Sequence, residues 1–331
     1  MAISGRVRLS EFFQEMKRVL LTGATGFIGA NLCRRLLSDG HDVHCIVRDG
    51  YTNWRLKDIQ QDIHLHVADL NDFESLIPVV SSLRPDWVFH LAAHGAYSWQ
   101  TDLNKIIQSN ILATVNLVEA CLKTGFEIFI NTGSSSEYGY KDHAPMENEW
   151  IDPNSYYAVT KASATLFCRY TAIRHNVCIP TLRLYSIYGA YENPGRLIPT
   201  IILHGMNGSL PPPVDPNIAR DYLHIKDVEN AYILLANQLR GTTGEVYNLG
   251  SGIQTSLSEV VTLARNVFRL AVEPQWGTMP NRQWDTTIWK ANNDSIKAIG
   301  WYPEFTFEHG FQQTVDWFLK NPKLMKNYTN H

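Results

Sequence analysis

Short apolar segments alternate with longer amphipathic segments along the first half of the chain. The apolar segments are RVLLTG, DVHCIV, IHLHVA, DWVFHLAA, IFINTG and IPTLRL, which begin at residues 18, 42, 63, 86, 128 and 179. Several are apolar throughout rather than at alternate positions, which is typical of strands covered on both faces. The intervening segments are long enough for crossover helices, with the clearest helical periodicity at 27–38, 102–123 and 155–175. This pattern predicts an α/β fold with a doubly wound parallel sheet.

A glycine-rich turn follows the first predicted strand. Gly23, Gly26 and Gly29 have the spacing G-x-x-G-x-x-G between that strand and an amphipathic helix. Glycine permits a tight turn and close approach of a ligand to the backbone, and free N–H groups at a helix start face a pyrophosphate. A purely structural turn is the alternative, but the strand–turn–helix setting favours a dinucleotide site. The other residues of the turn that we expect to contact the cofactor are Thr25, Phe27 and Ile28.

Arg48 stands where many dinucleotide-binding proteins have an acidic residue. It ends the second predicted strand, about twenty residues after the glycine-rich turn. An acid there holds a ribose hydroxyl, whereas a guanidinium forms charge-assisted bonds to a 2′-phosphate. We therefore predict NADP(H) as the favoured cofactor. Two alternatives stay open: Arg48 as a solvated surface charge, and the neighbouring Asp49 as a displaced ribose ligand for NAD(H).

The amino-acid composition of the chain changes near residue 184. YENPGRLIP and GSLPPPVDPN are predicted as proline-rich loops, and they precede the strand-like EVYNLG and a last helical pattern near 307–320. We expect a Rossmann-type dinucleotide-binding domain over 16–183, joined by 226–250, and a smaller mixed α/β substrate lobe over 184–225 and 251–331. Residues 1–15 are expected to be an amino-terminal extension outside the fold.

Tyr157 and Lys161 are four residues apart in NSYYAVTKASATLF, so both lie on one face of a predicted helix. An ammonium group beside a phenol favours the phenolate, by about 1.4 kcal/mol for each unit of pKa depression. A surface pairing is the alternative, because this spacing is common by chance. The segment FINTGSSSEYG favours catalysis, since it ends a strand at the sheet edge where ligands bind. Ser134 in that segment is expected to bond the same substrate oxygen as Tyr157.

Together these motifs resemble the extended short-chain dehydrogenases/reductases, in the nucleotide-sugar epimerase/dehydratase branch. The resemblance also includes HLAA at 90–93 and ARDYLHIKDV, and it runs from about residue 17 to 320. It implies that Tyr157 is the acid/base, that Lys161 binds the nicotinamide ribose and lowers the pKa of Tyr157, and that Ser134 orients the reacting group. Further cofactor contacts implied by the resemblance are Asp69, Leu70, Ala92, Ala93, Asn110 and Thr132.

The resemblance also implies a nucleotide-sugar site in the second lobe. NPGRLIP at 193–199 and Arg220 match segments that the family uses around the base and diphosphate, and arginine can bond two phosphate oxygens at once. Alternatives are an ion pair of Arg220 with Asp221 and a solvated charge for Arg282. Tyr97 and Trp99 either close over a sugar or pack in the core. The predicted substrate-binding residues are Ser135, Ser136, Arg196, Leu197, Arg220 and Arg282.

Three reactions occur on this branch of the family. In the dehydratase pattern of this branch, an Asp–Glu pair or a single glutamate follows the catalytic serine or threonine. This chain has Ser135 and Ser136 at those positions, but a one-residue gap in the alignment would place Glu137 there. Epimerases usually retain NAD, whereas net reduction consumes NADPH. We predict an NADPH-dependent 4-ketoreductase for an NDP-4-keto-6-deoxyhexose in nucleotide-deoxysugar biosynthesis, with an NAD-dependent NDP-hexose 4-epimerase as the alternative. An NDP-hexose 4,6-dehydratase and a non-enzymatic NAD(P)-sensing protein are less favoured.

Composition narrows the partners and the compartment. A net charge of −3 with interspersed charges provides no basic stripe for nucleic acid and no basic amphipathic segment for a membrane. Five cysteines without a C-x-x-C indicate buried free thiols and a reducing compartment. The chain has no apolar segment of transmembrane length and no signal-peptide pattern at its start, so we expect a cytoplasmic protein.

Two further predictions concern metal binding and the oligomeric state. His90, His94 and the HLH of 64–66 lack the spacing of known metal-ligand motifs, so no metal site is expected. The family resemblance implies a homodimer through a four-helix bundle of the segments 102–123 and 155–175. Burial within one subunit explains the apolar residues of those helices equally well.

Overall fold

The computed structural model describes residues 15–238, 244–278 and 286–329. The strands found there are β1 (Arg18–Thr22), β2 (Asp42–Val47), β3 (His64–Val67), β4 (Trp87–His90), β5 (Ile128–Ser134), β6 (Thr181–Leu184), β7 (Ser186–Tyr188), β8 (Ala219–Arg220), β9 (Tyr222–His224), β10 (Val246–Leu249) and β11 (Thr255–Ser256). The helices found there are α1 (Phe27–Ser38), α2 (Phe73–Leu83), α3 (Leu103–Ile107), α4 (Ala113–Thr124), α5 (Tyr156–His175), α6 (Leu197–Met206), α7 (Ile225–Gln238), α8 (Leu257–Phe268), α9 (Asp294–Ala298), α10 (Phe307–Lys320) and α11 (Lys326–Thr329).

Seven of the described strands form one sheet, in the order β10-β6-β5-β4-β1-β2-β3, and every neighbouring pair is parallel. The chain builds outward from β1 in one direction to β3 and then returns through β4 in the other. β4 and β6 are buried at every residue, as expected for strands covered on both faces. The predicted doubly wound parallel sheet of the Rossmann type is therefore confirmed.

Both faces of this sheet are covered by helices. Consecutive strand residues point to opposite faces, so Leu21 and Phe89 pack in one core with residues of α1 and α7, whereas Leu20 and Val88 pack in another core with residues of α2 and α4. A third core joins α6, α8 and α10 and lies in the later part of the chain. The division into two lobes at the predicted boundaries stays a prediction.

Two segments differ from their predicted structure. The helix predicted over 102–123 is interrupted by a π-helical turn at Gln108–Leu112, which joins α3 to α4. The helix α6 begins inside YENPGRLIP, which we predicted as a proline-rich loop. Proline fits the first turn of a helix because its missing N–H is not needed there, and Pro199 occupies that turn.

Two further sheets of the described residues have two strands each. β7 pairs in parallel with β9, and β8 pairs antiparallel with β11. Short 3-10 turns occur at Ser135–Tyr138 and Pro322–Leu324. Among the described residues, no helix is both long and apolar enough to cross a membrane.

Candidate active site at the carboxyl edge of the sheet

The glycine-rich turn lies between β1 and α1, against the segment that follows β4. Gly23 has a φ of +75°, and a Cβ there would lie 2.6 Å from the backbone nitrogen of Ala92, the residue before Ala93. A Cβ on Gly29 would overlap the carbonyl oxygen of Gly23. Gly26 precedes α1 and contributes no side-chain cap, so the first N–H groups of α1 are available to a ligand. This backbone arrangement fits a dinucleotide pyrophosphate.

Arg48 follows β2 at the same edge. It is exposed and forms no ion pair or hydrogen bond with a residue that the structure describes. The pKa of His94 is lowered first by burial, then by a nearby lysine and then by the guanidinium of Arg48. Arg48 therefore lies near His94, in the segment after β4. The Asp49 carboxylate accepts a hydrogen bond from Gly50 N at 2.9 Å. Asp69, two residues after β3, is exposed at this edge as well.

Asn110 lies in the π-helical turn and is buried. Its Oδ1 accepts a hydrogen bond from His94 N at 2.8 Å, and its Nδ2 donates to Thr160 Oγ1 at 2.9 Å. It therefore connects the segment after β4 to α5. π-helical turns are frequent at functional sites. A direct cofactor contact of Asn110 stays a prediction.

Some of the other residues predicted to contact cofactor or substrate form hydrogen bonds within the protein. Thr132 Oγ1 lies 2.6 Å from Tyr232 Oη on α7. Ser135 is buried, and Ser136 Oγ lies 2.7 Å from Ser134 Oγ. These hydroxyls line the end of β5, and their roles toward cofactor or substrate stay predictions.

Ser134, Tyr157 and Lys161 come together where the end of β5 meets α5. Ser134 is the last residue of β5, and the other two lie in the first turns of α5, whose N-cap is Ser155. The Ser134 hydroxyl is close enough to the phenol of Tyr157 to lower its pKa. Lys161 is 3% exposed, and its ammonium group has no hydrogen-bond or ion-pair partner in the described ranges. A buried cation without a protein partner fits a ribose hydroxyl as its ligand.

Burial is the largest influence on the pKa of both α5 groups. It raises the pKa of Tyr157 to about 12, and the hydrogen bond from Ser134 opposes it. Burial lowers the pKa of Lys161, and the carboxylate of Glu137 opposes that change. Desolvation disfavours the phenolate and is larger than the opposing hydrogen bond from Ser134, so the pKa of Tyr157 is raised overall. A lowering of this pKa by Lys161, which the family resemblance implied, stays a prediction. At neutral pH Tyr157 is therefore a phenol and can donate a proton.

Glu137 points into the interior rather than into the cleft. It is 0% exposed, and its Oε2 accepts a hydrogen bond from Arg183 Nε at 2.8 Å. Its Oε1 accepts bonds from Ser134 N at 2.8 Å and from Thr165 Oγ1 at 3.0 Å. Both carboxylate oxygens are thus occupied within the protein, so Glu137 is unavailable as a base for dehydration of a sugar.

Tyr97 and Trp99 lie in the loop after β4. Their rings stack with centroids 4.7 Å apart, and the guanidinium carbon of Arg196 lies 5.9 Å from the Tyr97 centroid. Tyr97 and Arg196 both influence the pKa of Tyr157, so they lie near its phenol. Trp99 is 61% exposed, which excludes core packing for that ring. Leu197, the first residue of α6, is exposed on the same segment as Arg196.

Arg220, at the end of β8, is half-buried. Its guanidinium carbon lies 5.5 Å from the centroid of Trp289, and its Nη1 donates to Ala219 O at 2.8 Å. The adjacent Asp221 accepts hydrogen bonds of 2.7–2.9 Å from Ser251 N, Ser251 Oγ, Gly252 N and Ala291 N. These bonds occupy the carboxylate and disfavour the alternative of an Arg220–Asp221 ion pair. The predicted ligand Arg282 lies outside the described residues.

Two buried charged residues that the sequence analysis missed connect the glycine-rich turn to the cleft. Arg55 Nε donates to Tyr191 O at 2.8 Å, and its Nη1 donates to Thr25 O at 3.3 Å. Glu192 Oε1 lies 3.9 Å from Arg196 Nε, and burial raises the pKa of Glu192 to about 8. No motif marks either residue, since only the fold shows that their charges are buried.

The histidines of β3 lie beside His44 of β2, because the parallel register pairs His44 with His64. His44 Nε2 lies 3.0 Å from Asp42 Oδ2, and His64 Nε2 lies 3.3 Å from Asp42 Oδ1. The two imidazole rings stack 4.5 Å apart with planes at 19°, and each Nε2 faces one oxygen of the Asp42 carboxylate. We interpret this cluster as a hydrogen-bonded contact between the strands and assign no metal to it.

Comparison with known proteins shows what this fold and site resemble. The chain matches the profile described as NAD dependent epimerase/dehydratase family over residues 19–250. A trifunctional UDP-glucose 4,6-dehydratase/UDP-4-keto-6-deoxy-D-glucose 3,5-epimerase/UDP-4-keto-L-rhamnose-reductase of Arabidopsis thaliana is 27% identical over 322 residues, which are 93% of this chain and 48% of that protein. The chain therefore spans about half the length of that relative and of two similar Arabidopsis proteins.

Two solved structures are similar over almost their whole length. A UDP-glucose 4-epimerase of Thermotoga maritima with UDP-glucose has a TM-score of 0.83 and 25% identity, covering 92% of this chain and 99% of that one. A UDP-glucose 4-epimerase of Thermus thermophilus in complex with NAD has a TM-score of 0.81 and 25% identity, covering 91% and 98%.

The fold and the grouping of serine, tyrosine and lysine define an enzyme of the extended short-chain dehydrogenase/reductase class. Within that class, the chain belongs to the NAD-dependent epimerase/dehydratase family. The family predicted from the sequence motifs is thereby confirmed.

Proposed function

We propose that this chain is an NADPH-dependent 4-ketoreductase that converts an NDP-4-keto-6-deoxyhexose to an NDP-6-deoxyhexose. The observation that carries the proposal is Arg48, which is exposed after β2 and unpaired with any described residue. Its guanidinium suits a 2′-phosphate, and the adjacent Asp49 carboxylate is engaged with Gly50 N. The activities of similar proteins include 4-epimerase, 4,6-dehydratase and 4-keto-reductase, so each of these three reactions has a precedent among them.

The three catalytic residues have complementary tasks in this reaction. When bound, NADPH supplies the hydride that reduces C4 of the sugar. Tyr157 is protonated at neutral pH and donates its proton to the C4 oxygen, which becomes a hydroxyl. Ser134 donates a hydrogen bond to the same oxygen and stabilises its developing charge. Lys161 holds the nicotinamide ribose with an ammonium group that has no partner within the described parts of the chain.

The environment after β5 argues against dehydration. Removal of a proton at C5 needs a carboxylate or similar base facing the sugar. Ser135 and Ser136 occupy the positions next to Ser134, and Glu137 is engaged with Arg183 in the interior. A 4,6-dehydratase is therefore the least supported of the three reactions.

A 4-epimerase is the second candidate. The same three catalytic residues can serve it, and similar solved structures are UDP-glucose 4-epimerases, one of them in complex with NAD. A non-enzymatic NAD(P)-sensing protein has less support, because Ser134, Tyr157 and Lys161 lie together in a site suited to proton transfer.

Cofactor preference tests the proposal. The protein, freed of bound nucleotide, is titrated with NADPH and NADH by nicotinamide fluorescence, together with Arg48→Ala, and then assayed with CDP-, GDP-, dTDP- and UDP-4-keto-6-deoxyhexoses. We expect a preference for NADPH of about tenfold or more that disappears in Arg48→Ala, because one charge-assisted phosphate contact is lost. Copurified NAD, with interconversion of NDP-hexoses in the absence of added cofactor, would instead support the epimerase.

We also propose where the NDP-sugar lies. The Tyr97–Trp99 stack and Arg196 flank the catalytic phenol, which suits the sugar. Arg220 beside Trp289 combines a cation for the diphosphate with an aromatic surface for the base. This arrangement supports a nucleotide-sugar substrate and leaves the identity of the base open.

Homodimerisation is a further part of the proposal. Val159, Leu166, Tyr170 and Ile173 are exposed at spacings that place them along one side of α5. Because burial within the subunit does not cover them, a second copy of the chain is a suitable partner for this face. Light scattering after gel filtration should show a dimer that Leu166→Asp converts to a monomer.

A reducing compartment such as the cytoplasm fits the thiols. All five cysteines are buried and free, and the thiols of Cys33 and Cys45 are hydrogen-bonded, with their Sγ atoms 3.6 Å apart and no disulfide between them. We propose that the protein acts where such thiols stay reduced.

A further inference from the structure

We propose that Glu137 is a positioning residue, whose carboxylate fixes the catalytic Ser134 relative to the helix that carries Tyr157 and Lys161. This inference rests on the proposed function of those three residues. Glu137 itself does not touch the substrate, since it is 0% exposed.

One carboxylate connects three elements of the site. Its Oε1 accepts a hydrogen bond from Ser134 N on β5 at 2.8 Å and one from Thr165 Oγ1 on α5 at 3.0 Å. Thr165 lies four residues after Lys161, so the two side chains share a helix face. Its Oε2 accepts a bond from Arg183 Nε on β6 at 2.8 Å. The distance between the serine and the helix therefore depends on this side chain.

The surroundings leave Glu137 little freedom to move. A Cβ on Gly133 would lie 2.7 Å from Glu137 Oε1, so the carboxylate rests against the strand itself. Arg183 is held in turn, because its Nη1 donates to Tyr138 Oη at 2.7 Å and Tyr138 Oη donates to Asn248 Oδ1 at 2.8 Å. Closely packed buried networks of this kind restrict the groups bonded to them.

Charge gives Glu137 a second effect on the site. Arg183 and Lys161 are both buried cations, and the carboxylate is paired with the first and near the second. Glutamine at this position preserves the shape but removes the negative charge. Both cations would then lack compensation, and Lys161 would lose its proton more readily.

The first measurement compares steady-state kinetics of Glu137→Gln, Thr165→Val and Glu229→Gln. Glu229 is the matched control, because it is equally buried and paired with Lys226 at 3.0 Å on α7, away from the catalytic residues. We expect kcat of Glu137→Gln to fall about 100-fold with KM and the NADPH Kd within about twofold, since small misplacements of reacting groups act on the chemical step. Thr165→Val removes one of the bonds to Oε1 and should reduce kcat about fivefold.

The second measurement needs no substrate. Lysine labelled with ¹³C at Cε is titrated by NMR, and the Lys161 signal is assigned by its loss in Lys161→Arg. We expect the midpoint of Lys161 to fall in Glu137→Gln and to stay unchanged in Glu229→Gln.

The outcomes separate the two proposals. If the wild type reduces no NDP-4-keto sugar while the Lys161 midpoint falls in Glu137→Gln, the proposed function fails and the coupling of Glu137 to the site stands. If the midpoint is unchanged, or kcat falls only in proportion to the unfolded fraction in both Glu137→Gln and Thr165→Val, Glu137 is a structural residue and the inference is overturned.

Discussion

The two sides of the cleft differ in how their side chains are held. Ser134 and Lys161 lie on β5 and α5, and their surroundings form a buried network through Glu137. On the other side, Trp99 and Arg196 lie on loop segments with much of their side chains exposed. The groups proposed to react are therefore fixed by the interior, whereas the groups proposed to face the substrate are exposed and can vary without disturbing the core.

This difference explains why the family resemblance predicts the residues expected to react but not the particular nucleotide sugar. Hydride and proton transfer at one carbon need constant geometry, which the sheet edge and α5 provide. Discrimination among nucleotide sugars needs side chains that can be exchanged at low cost to stability, which exposed loops provide. Four substitutions test the contrast, beginning with the largest expected effect.

Tyr157→Phe removes the proposed proton donor from the fixed side of the cleft. We expect kcat to fall about 1000-fold in the assay for NDP-4-keto-sugar reduction, because the C4 oxygen loses its general acid. NADPH binding should be unchanged. Tyr156→Phe is the control, since that neighbour is 63% exposed and not among the residues grouped at the site. Activity of Tyr157→Phe above a tenth of wild type would contradict the assigned role.

Gly23→Ala tests the close approach of the glycine-rich turn to the segment after β4. The new Cβ would lie 2.6 Å from Ala92 N, and the φ of +75° adds strain, so we expect the NADPH Kd to rise at least about 100-fold. Gly50→Ala is the matched control, with a φ of +64° and no atom within 4 Å of its Cβ. Equal losses by fluorescence titration in both variants would show that strain alone is responsible.

Arg196→Ala tests the exposed side of the cleft. We expect KM for the nucleotide sugar to rise about tenfold while kcat changes less than about twofold, because a binding contact is lost and the catalytic residues stay in place. Arg174→Ala, an exposed arginine near the end of α5, is the control in the same steady-state assay. A loss confined to kcat would mean that Arg196 acts on the chemistry instead.

Glu192 has the smallest expected effect, on stability rather than rate. Its pKa in the folded chain is about 8, above the ordinary value of 4.5, so the folded state binds more protons than the unfolded state between these values. Its contribution therefore favours folding at low pH and is lost as the pH rises toward 8. Calorimetry should show that the difference in Tm between Glu192→Gln and wild type is a few degrees more favourable to the variant at pH 8 than at pH 5. An identical difference at both pH values would disprove the buried titration.

The catalytic side was largely visible in the sequence because its geometry is local. Tyr157 and Lys161 share a helix face by spacing, and the glycine-rich turn is a contiguous motif next to its strand. The interruption at Gln108–Leu112 was not visible, since apolar periodicity does not distinguish an α-helical from a π-helical turn. The beginning of α6 was missed because its prolines indicated a loop.

Contacts between distant segments were out of reach of such patterns. Glu137 was left open as a possible catalytic glutamate, and its partner Arg183 is 46 residues away on the neighbouring strand. The buried positions of Arg55 and Glu192 depend on how the segment after β7 packs against the glycine-rich turn. Sequence spacing carries no information about such packing.

The amino-acid sequence by itself determined the doubly wound sheet, the family and the three residues expected to react. These follow from short-range periodicity and from motifs whose members lie on one turn or one helix face. Only the tertiary structure decided that the Glu137 carboxylate is bonded in the interior, that Trp99 stacks on Tyr97 outside the core and that burial is the largest influence on the pKa of Tyr157. The reason is physical: burial, charge compensation and pKa depend on which distant segments meet around a group, and that is a property of the folded chain.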